Sequence, residues 1–166
     1  MSLKEKLQQE LAEAIKGKKE REILTIRQVL TSVLNKEKEK RFKLSKEKPD
    51  ISEDNLNKES QLTDEEVLEV ISSEVKKHKE SISEFEKGER QDLVDKEKME
   101  LEILKKYLPE QISEEEIKKV AEEVIKEIGA KEIKDMGKVM AELMPKVKGK
   151  ADGSQVSKIV KELLET

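Results

Sequence analysis

Residues 135–164 read DMGKVMAELMPKVKGKADGSQVSKIVKELL. Met136, Val139, Met140 and Leu143 recur at three- and four-residue spacing, and so do Val156, Ile159, Val160, Leu163 and Leu164. That is the period of a helix with one buried face, not the alternation of a strand. Between the two patterns stand Pro145, Gly149 and Gly153. Pro145 lacks an amide proton and is expected to disrupt the end of the first helix. The second helix is expected to begin at Asp152 or Gly153. The stretch therefore predicts two helices joined by a tight turn, with Met136, Met140 and Met144 filling core gaps.

Working back toward the N-terminus, Ser113 with Glu116 three residues on forms a capping-box signature, and Ile112 and Ile117 are placed for a hydrophobic staple. Ile117, Val120, Val124 and Ile128 follow as an inward stripe, closed by Gly129. These three helices span fewer than 60 residues, near the lower limit for an independent core. The segment LPEQIS before them is the best domain boundary, which divides the chain into 1–108 and 109–166.

The N-terminal part predicts about four longer helices. Ser2 with Glu5 caps the first, with Leu3, Leu7, Leu11 and Ile15 inward and Gly17 as its stop. The second runs roughly from Lys18 to Lys40. Ile23, Ile26, Leu30 and Val33 form its stripe, which Leu24, Val29 and Leu34 widen. Residues 43–62 (KLSKEKPDISEDNLNKESQL) lose the pattern and read as a long polar loop, either a disordered excursion or a binding loop. Thr63 with Glu66 caps a third helix carrying Val67, Ile71, Val75, His78, Ile82 and Phe85, and a fourth follows Asp92 and stops at Pro109. No strand pattern and no internal repeat occur. The predicted class is all-α.

Composition bounds the chemistry. Charged residues make up 45% of the 166 and the net charge is -4. Leu, Ile, Val and Phe still total 44, above the ~20% level below which a charged chain stays unfolded. There is no cysteine, so disulfides, thiolate metal sites and thiol nucleophiles are excluded. No apolar run reaches membrane-spanning length and the start does not read as a secretory signal, so a cytoplasmic location and no membrane partner are expected. Phe42, Phe85 and Tyr107 are the only aromatics, which argues against stacking single-stranded bases. Phosphate-loop, dinucleotide, GxSxG and HExxH patterns are absent. His78 is the only histidine and falls on an apolar stripe. It reads as a structural residue, and a lone histidine limits metal binding. No metal, cofactor or catalytic residue is expected.

One stretch stands out chemically. Residues 145–158, PKVKGKADGSQVSK, hold four lysines against one acid in an acidic chain. Glycines permit close approach, lysines supply mobile charge, and a helix start exposes unpaired amides. Together these suit a phosphate group. A solvated turn with Asp152 as an ordinary N-cap is the plain alternative. Asp152 itself competes for the cap amides, so phosphates would bind beside the cap through lysines. The basic run KEKEKRFK at 36–43 is either a solvated helix end or a second contact. The acids Glu114, Glu115 and Glu116 suit a helix start better than a metal.

The segments TDEEVLEVISSEVKKHKESISEFEKGERQDLVDKEKMELEILKKYLPEQISEEEI (63–117) and DMGKVMAELMPKVKGKADGSQVSKIVKELL (135–164) resemble the YqeY family. The resemblance runs through nearly the whole chain. The pattern GKVM followed by KGKAD is also similar to the tail domain of GatB, the tRNA-engaging subunit of the bacterial glutamine-dependent amidotransferase. The resemblance implies an N-terminal helical region and a three-helix tail-like domain that meets tRNA or other structured RNA. Carried over by motif, the contact residues are Gly137, Lys138, Lys146, Lys148, Gly149, Lys150 and Gly153, and Ser154 and Lys158 join them from the same lysine-rich stretch. The large GatB body with its kinase-like and transamidation site has no counterpart, so amide transfer by this chain alone is not expected. Residues 43–62 exceed the family norm, and nothing is carried onto them. The function expected is a noncatalytic tRNA-associated accessory protein. The alternatives are a helical protein-interaction module, or a factor with carbon–nitrogen ligase activity only within an amidotransferase complex. An amidotransferase or translation partner would fit either.

Overall fold

Three serine or threonine caps set the frame of this all-helical chain. In the computed structural model, which describes residues 1–165, Ser2, Thr63 and Ser113 each close a reciprocal capping box with Glu5, Glu66 and Glu116. Each arrangement satisfies two amides that a helix start would otherwise leave unpaired. The chain divides into two compact units, Met1–Tyr107 and Leu108–Thr166. No strand occurs among the described residues, and no helix there is long and apolar enough to cross a membrane.

The N-terminal unit contains α1 (Leu3–Lys16), α2 (Glu20–Glu47), α3 (Glu53–Glu59), α4 (Asp64–Lys87) and α5 (Gln91–Lys105). Leu7, Ile26, Val29, Val33, Val67 and Ile71 are among the side chains that α1, α2 and α4 bury together. Ile15, expected inward, is 47% exposed. A strict four-residue spacing advances by ~40° per step around a helix, so Ala14, seven residues after Leu7, takes the buried place instead. Leu24 is exposed for a related reason: at ~100° per residue it lies almost opposite Ile26.

Residues 43–62, expected as a polar loop, are a correction. The second helix continues to Glu47, and Ser52 caps the short α3. Side-chain bonds tie this excursion to α2: Arg41 donates to Asn57, and Lys48 Nζ donates to Glu59 at 2.6 Å. Lys40 Nζ donates both to the Gln61 carbonyl and to Glu66, and Leu62 is buried. Polar residues hold this segment through ion pairs, which apolar periodicity does not register. The N-terminal unit thus has five helices, not four.

His78 is buried on α4, as its place on the stripe implies. Glu74, one turn earlier, is buried as well, and accepts from Lys77, Gln28 and Ser32. Burial pushes its carboxyl up, but these donors outweigh burial and hold it below the usual carboxylate range.

The C-terminal unit contains α6 (Glu114–Ile128), a single 3-10 turn (Ile133–Asp135), α7 (Met136–Val147) and α8 (Gly153–Glu165). Its core joins Ile117, Ala121 and Val124 of α6 to Val139, Leu143 and Val147 of α7 and Val156 and Val160 of α8. Gly129 ends α6 in the left-handed conformation, φ 68°. Pro145 lies in the last turn of α7, two residues before its end. The helix runs on to Val147, whose buried side chain rewards the extra half-turn, so the missing amide costs one ladder bond near a terminus.

Candidate nucleic-acid interface

The lysine-rich stretch becomes the end of α7, a five-residue connection and the start of α8. The turn depends on Gly149, whose φ is +74°, a conformation that costs a side-chain-bearing residue ~1–2 kcal/mol. A Cβ there would also stand 3.3 Å from the Pro109 ring. The need for glycine at 149 is therefore explained by the fold itself. Gly153 has only an ordinary approach to Met144, and around Gly137 nothing lies within 4 Å of an added Cβ. Neither packing nor backbone conformation requires a glycine at 137.

The segment leading into α6 grips this turn from the side. Ile112 N donates to the Lys150 carbonyl at 3.0 Å, and Lys150 N returns to Val147 O at 2.9 Å. Gln111 Nε2 bridges the Pro109 and Gly149 carbonyls at 3.0 and 2.7 Å. The sequence reading placed LPEQIS only as a boundary and missed Pro109 and Gln111 as supports of the lysine turn. Nothing local signals a bond across 38 residues.

Asp152 resolves the competition for the cap amides. Its Oδ1 accepts from Ser154 N at 2.8 Å, and its carbonyl accepts from Val156 N. The first turn of the helix thus already has a carboxylate cap on the Ser154 amide.

The turn collects Lys146, Lys148, Gly149, Lys150, Gly153 and Ser154 within nine residues, with Lys158 about 7.5 Å further along α8. Gly137 and Lys138 lie in the first turn of α7, with Lys138 about 12 Å of helix from Lys146. All five lysines are exposed. Lys146 pairs with Glu127 of α6 at 3.2 Å, with both partners largely exposed, an arrangement worth ~0–1 kcal/mol. Lys148 is engaged within the chain. Lys150 and Lys158 have no ion pair among the described residues. Lys138 has none either, though its charge, after the Lys131 and Glu132 amides, helps hold the Asp135 carboxyl below its usual range. Across residues 136–161 there are six lysines and two carboxylates, Glu142 and Asp152. Glu114 borders the site, accepting from Gln155 at 2.9 Å.

Comparison with known proteins extends over most of the chain. The family model described as "Yqey-like protein" matches residues 48–164, which takes in α3 to α8 and the whole lysine turn. An uncharacterized protein of Schizosaccharomyces pombe is 43% identical over 51 residues, 31% of this chain and 42% of that protein. The chain thus covers less than half the length of that relative. The family match spans well over half of the 166 residues, and the chain belongs to the YqeY-like family.

Proposed function

We propose that the chain is a noncatalytic accessory protein that docks folded RNA, with tRNA as the expected class, on the α7–α8 face of its C-terminal unit. The observation that carries this reading is the six-to-two excess of lysine over carboxylate in residues 136–161, with Lys146, Lys148 and Lys150 gathered at a turn that backbone bonds hold in place and the others along α7 and α8. Lysine meets phosphate as a point charge with little geometric selectivity. Discrimination would then rest on RNA shape, for which three aromatic residues are no handicap. The likeness of GKVM and KGKAD to the GatB tail supplies tRNA as the class, and the cytoplasm is the compartment the reading requires. Any part in amide transfer would need a partner that brings the catalytic centre.

Replacing Lys146, Lys148 and Lys150 together with glutamate tests this directly. In a mobility-shift titration with tRNA the triple variant should not bind, while its helicity matches that of the parent. Equal binding by both would remove the assignment.

A second reading, a helical docking module, draws on Leu24 and Phe42 of α2, which are 56% and 60% exposed. A protein partner captured from lysate after nuclease treatment, and lost with Leu24→Ser and Phe42→Ser, would favour it over RNA.

A further inference from the structure

We propose that His78, Glu97 and Glu100 of the N-terminal unit form a binding site for a divalent transition-metal ion. The inference is independent of the RNA reading. Glu97 and Glu100 are three residues apart on α5, so both project from one face, and the packing of α5 on α4 turns that face toward His78. His78 Nδ1 is 2.7 Å from Glu97 Oε2 and 3.9 Å from Glu100 Oε2. The three donor atoms all lie within 4.8 Å of one another.

An ion bonded to imidazole nitrogen and carboxylate oxygen at ~2.0–2.2 Å spaces its ligands ~3.0–3.5 Å apart. Small side-chain adjustments bring the two measured distances to that value. The ion would take the place of the hydrogen in the Nδ1–Glu97 bond: a neutral imidazole then carries its one ring proton on Nε2, and an imidazolium keeps that proton and releases the other to solvent.

The surroundings are those of a built site. The side chains of His78 and Glu100 are only 6% and 9% exposed. Arg21 Nη1 donates to the other Glu100 oxygen, Oε1, at 3.1 Å. That bond fixes the carboxylate plane and leaves Oε2 turned to the ion, the usual part of an outer-shell partner. A cavity of about 510 Å³ adjoins the three groups and is also lined by Gln28, Ser81 and Lys96, which leaves room for water or a ligand in an open coordination position. The Lys77 ammonium also faces this cavity but is bound to Glu74 at 2.7 Å.

One nitrogen and two oxygens, with no sulfur in reach, suit zinc, cobalt or manganese. Magnesium, which prefers an all-oxygen octahedron, fits poorly. Zinc should bind the most tightly of the three.

The test uses the intact chain stripped of metal with a chelator. Calorimetric titration with zinc should show one equivalent bound, unaffected by excess magnesium, and cobalt should give visible d–d bands that zinc abolishes. His78→Gln and Glu97→Gln should each lower affinity by more than the ~10–100-fold that loss of an outer partner costs, and Arg21→Gln by about that amount. If His78→Gln fails to fold, Glu97→Gln decides alone, because Glu97 is the most exposed of the three. No heat beyond dilution at millimolar zinc would overturn the proposal and leave a hydrogen-bonded His–Glu pair. Binding unchanged in Glu97→Gln would also overturn it, by assigning the ion to surface carboxylates.

Discussion

Replacing Lys146, Lys148 and Lys150 with glutamine instead of glutamate turns the RNA proposal into a slope. Each phosphate neutralised by a lysine releases condensed counterions, and log affinity falls against log salt by ~0.7 per phosphate on single strands and ~0.9 on duplexes. If Lys138, Lys146, Lys148, Lys150 and Lys158 each meet one phosphate, the parent chain should show a slope of about 3.5–4.5. The glutamine variant keeps Lys138 and Lys158, so about 1.4–1.8 should remain. The three lost contacts correspond to a slope of about 2–3, so a fourfold rise in salt should weaken the parent roughly 20–40-fold more than the variant. The replaced side chains are exposed, and the Lys146–Glu127 ion pair lies at the surface. Stability should therefore move by less than ~0.5 kcal/mol, which circular dichroism melts can check. Fluorescence anisotropy with labelled tRNA at several salt concentrations measures both slopes. A parent slope below one, or equal slopes for parent and variant, would refute the reasoning.

Three further outcomes follow from the same geometry. Gly149→Ala should destabilise the C-terminal unit by ~1–2 kcal/mol through its left-handed backbone, with the Pro109 contact adding to this, as read from chemical denaturation. Gly137→Ala should do the reverse, stabilising α7 by ~0.5–1 kcal/mol since a Cβ there meets nothing; if glycine serves close approach of RNA, the same variant should bind tRNA more weakly. Glu74 has a carboxyl pKa lowered by folding, so its contribution is present above the unfolded value, near pH 4.5, and is lost as pH falls through the folded value. Glu74→Gln should cost ~1–3 kcal/mol at neutral pH and flatten the fall in stability with acid, in urea melts run from pH 7 to pH 3.

The capped starts at Ser2, Thr63 and Ser113 were legible because a capping box is complete within four residues of sequence. The stripes of α4 and α8 were legible because a single face was apolar; in α6 Ile117 and Val124 are buried as expected, but Ile128 is exposed and Ala121 is buried in the core instead. Residues 43–62 were not, because what orders α3 is polar side-chain bonding, Arg41 of α2 to Asn57 and Glu53 and Lys48 just after α2 to Glu59, and charge carries no period that distinguishes a loop from a packed polar helix. At the lysine turn, the residues and the role of Asp152 at the cap could be read locally. The supports at Pro109 and Gln111 could not, since they arrive from a segment far away in sequence. The same limit hid the company of His78: a lone histidine looked poor in ligands until helix packing brought Glu97 and Glu100 to it.

The bonds from Gln111 and Ile112 into the lysine turn have a practical corollary. A synthetic fragment covering only α7 and α8 would lose both this brace and the wall of Ile117, Ala121 and Val124 on which the hairpin rests. It would keep every ammonium group but not their spacing. Its attraction to polyanions would gauge bare electrostatics, and whatever the whole protein achieves beyond that fragment is the share of selectivity that belongs to architecture.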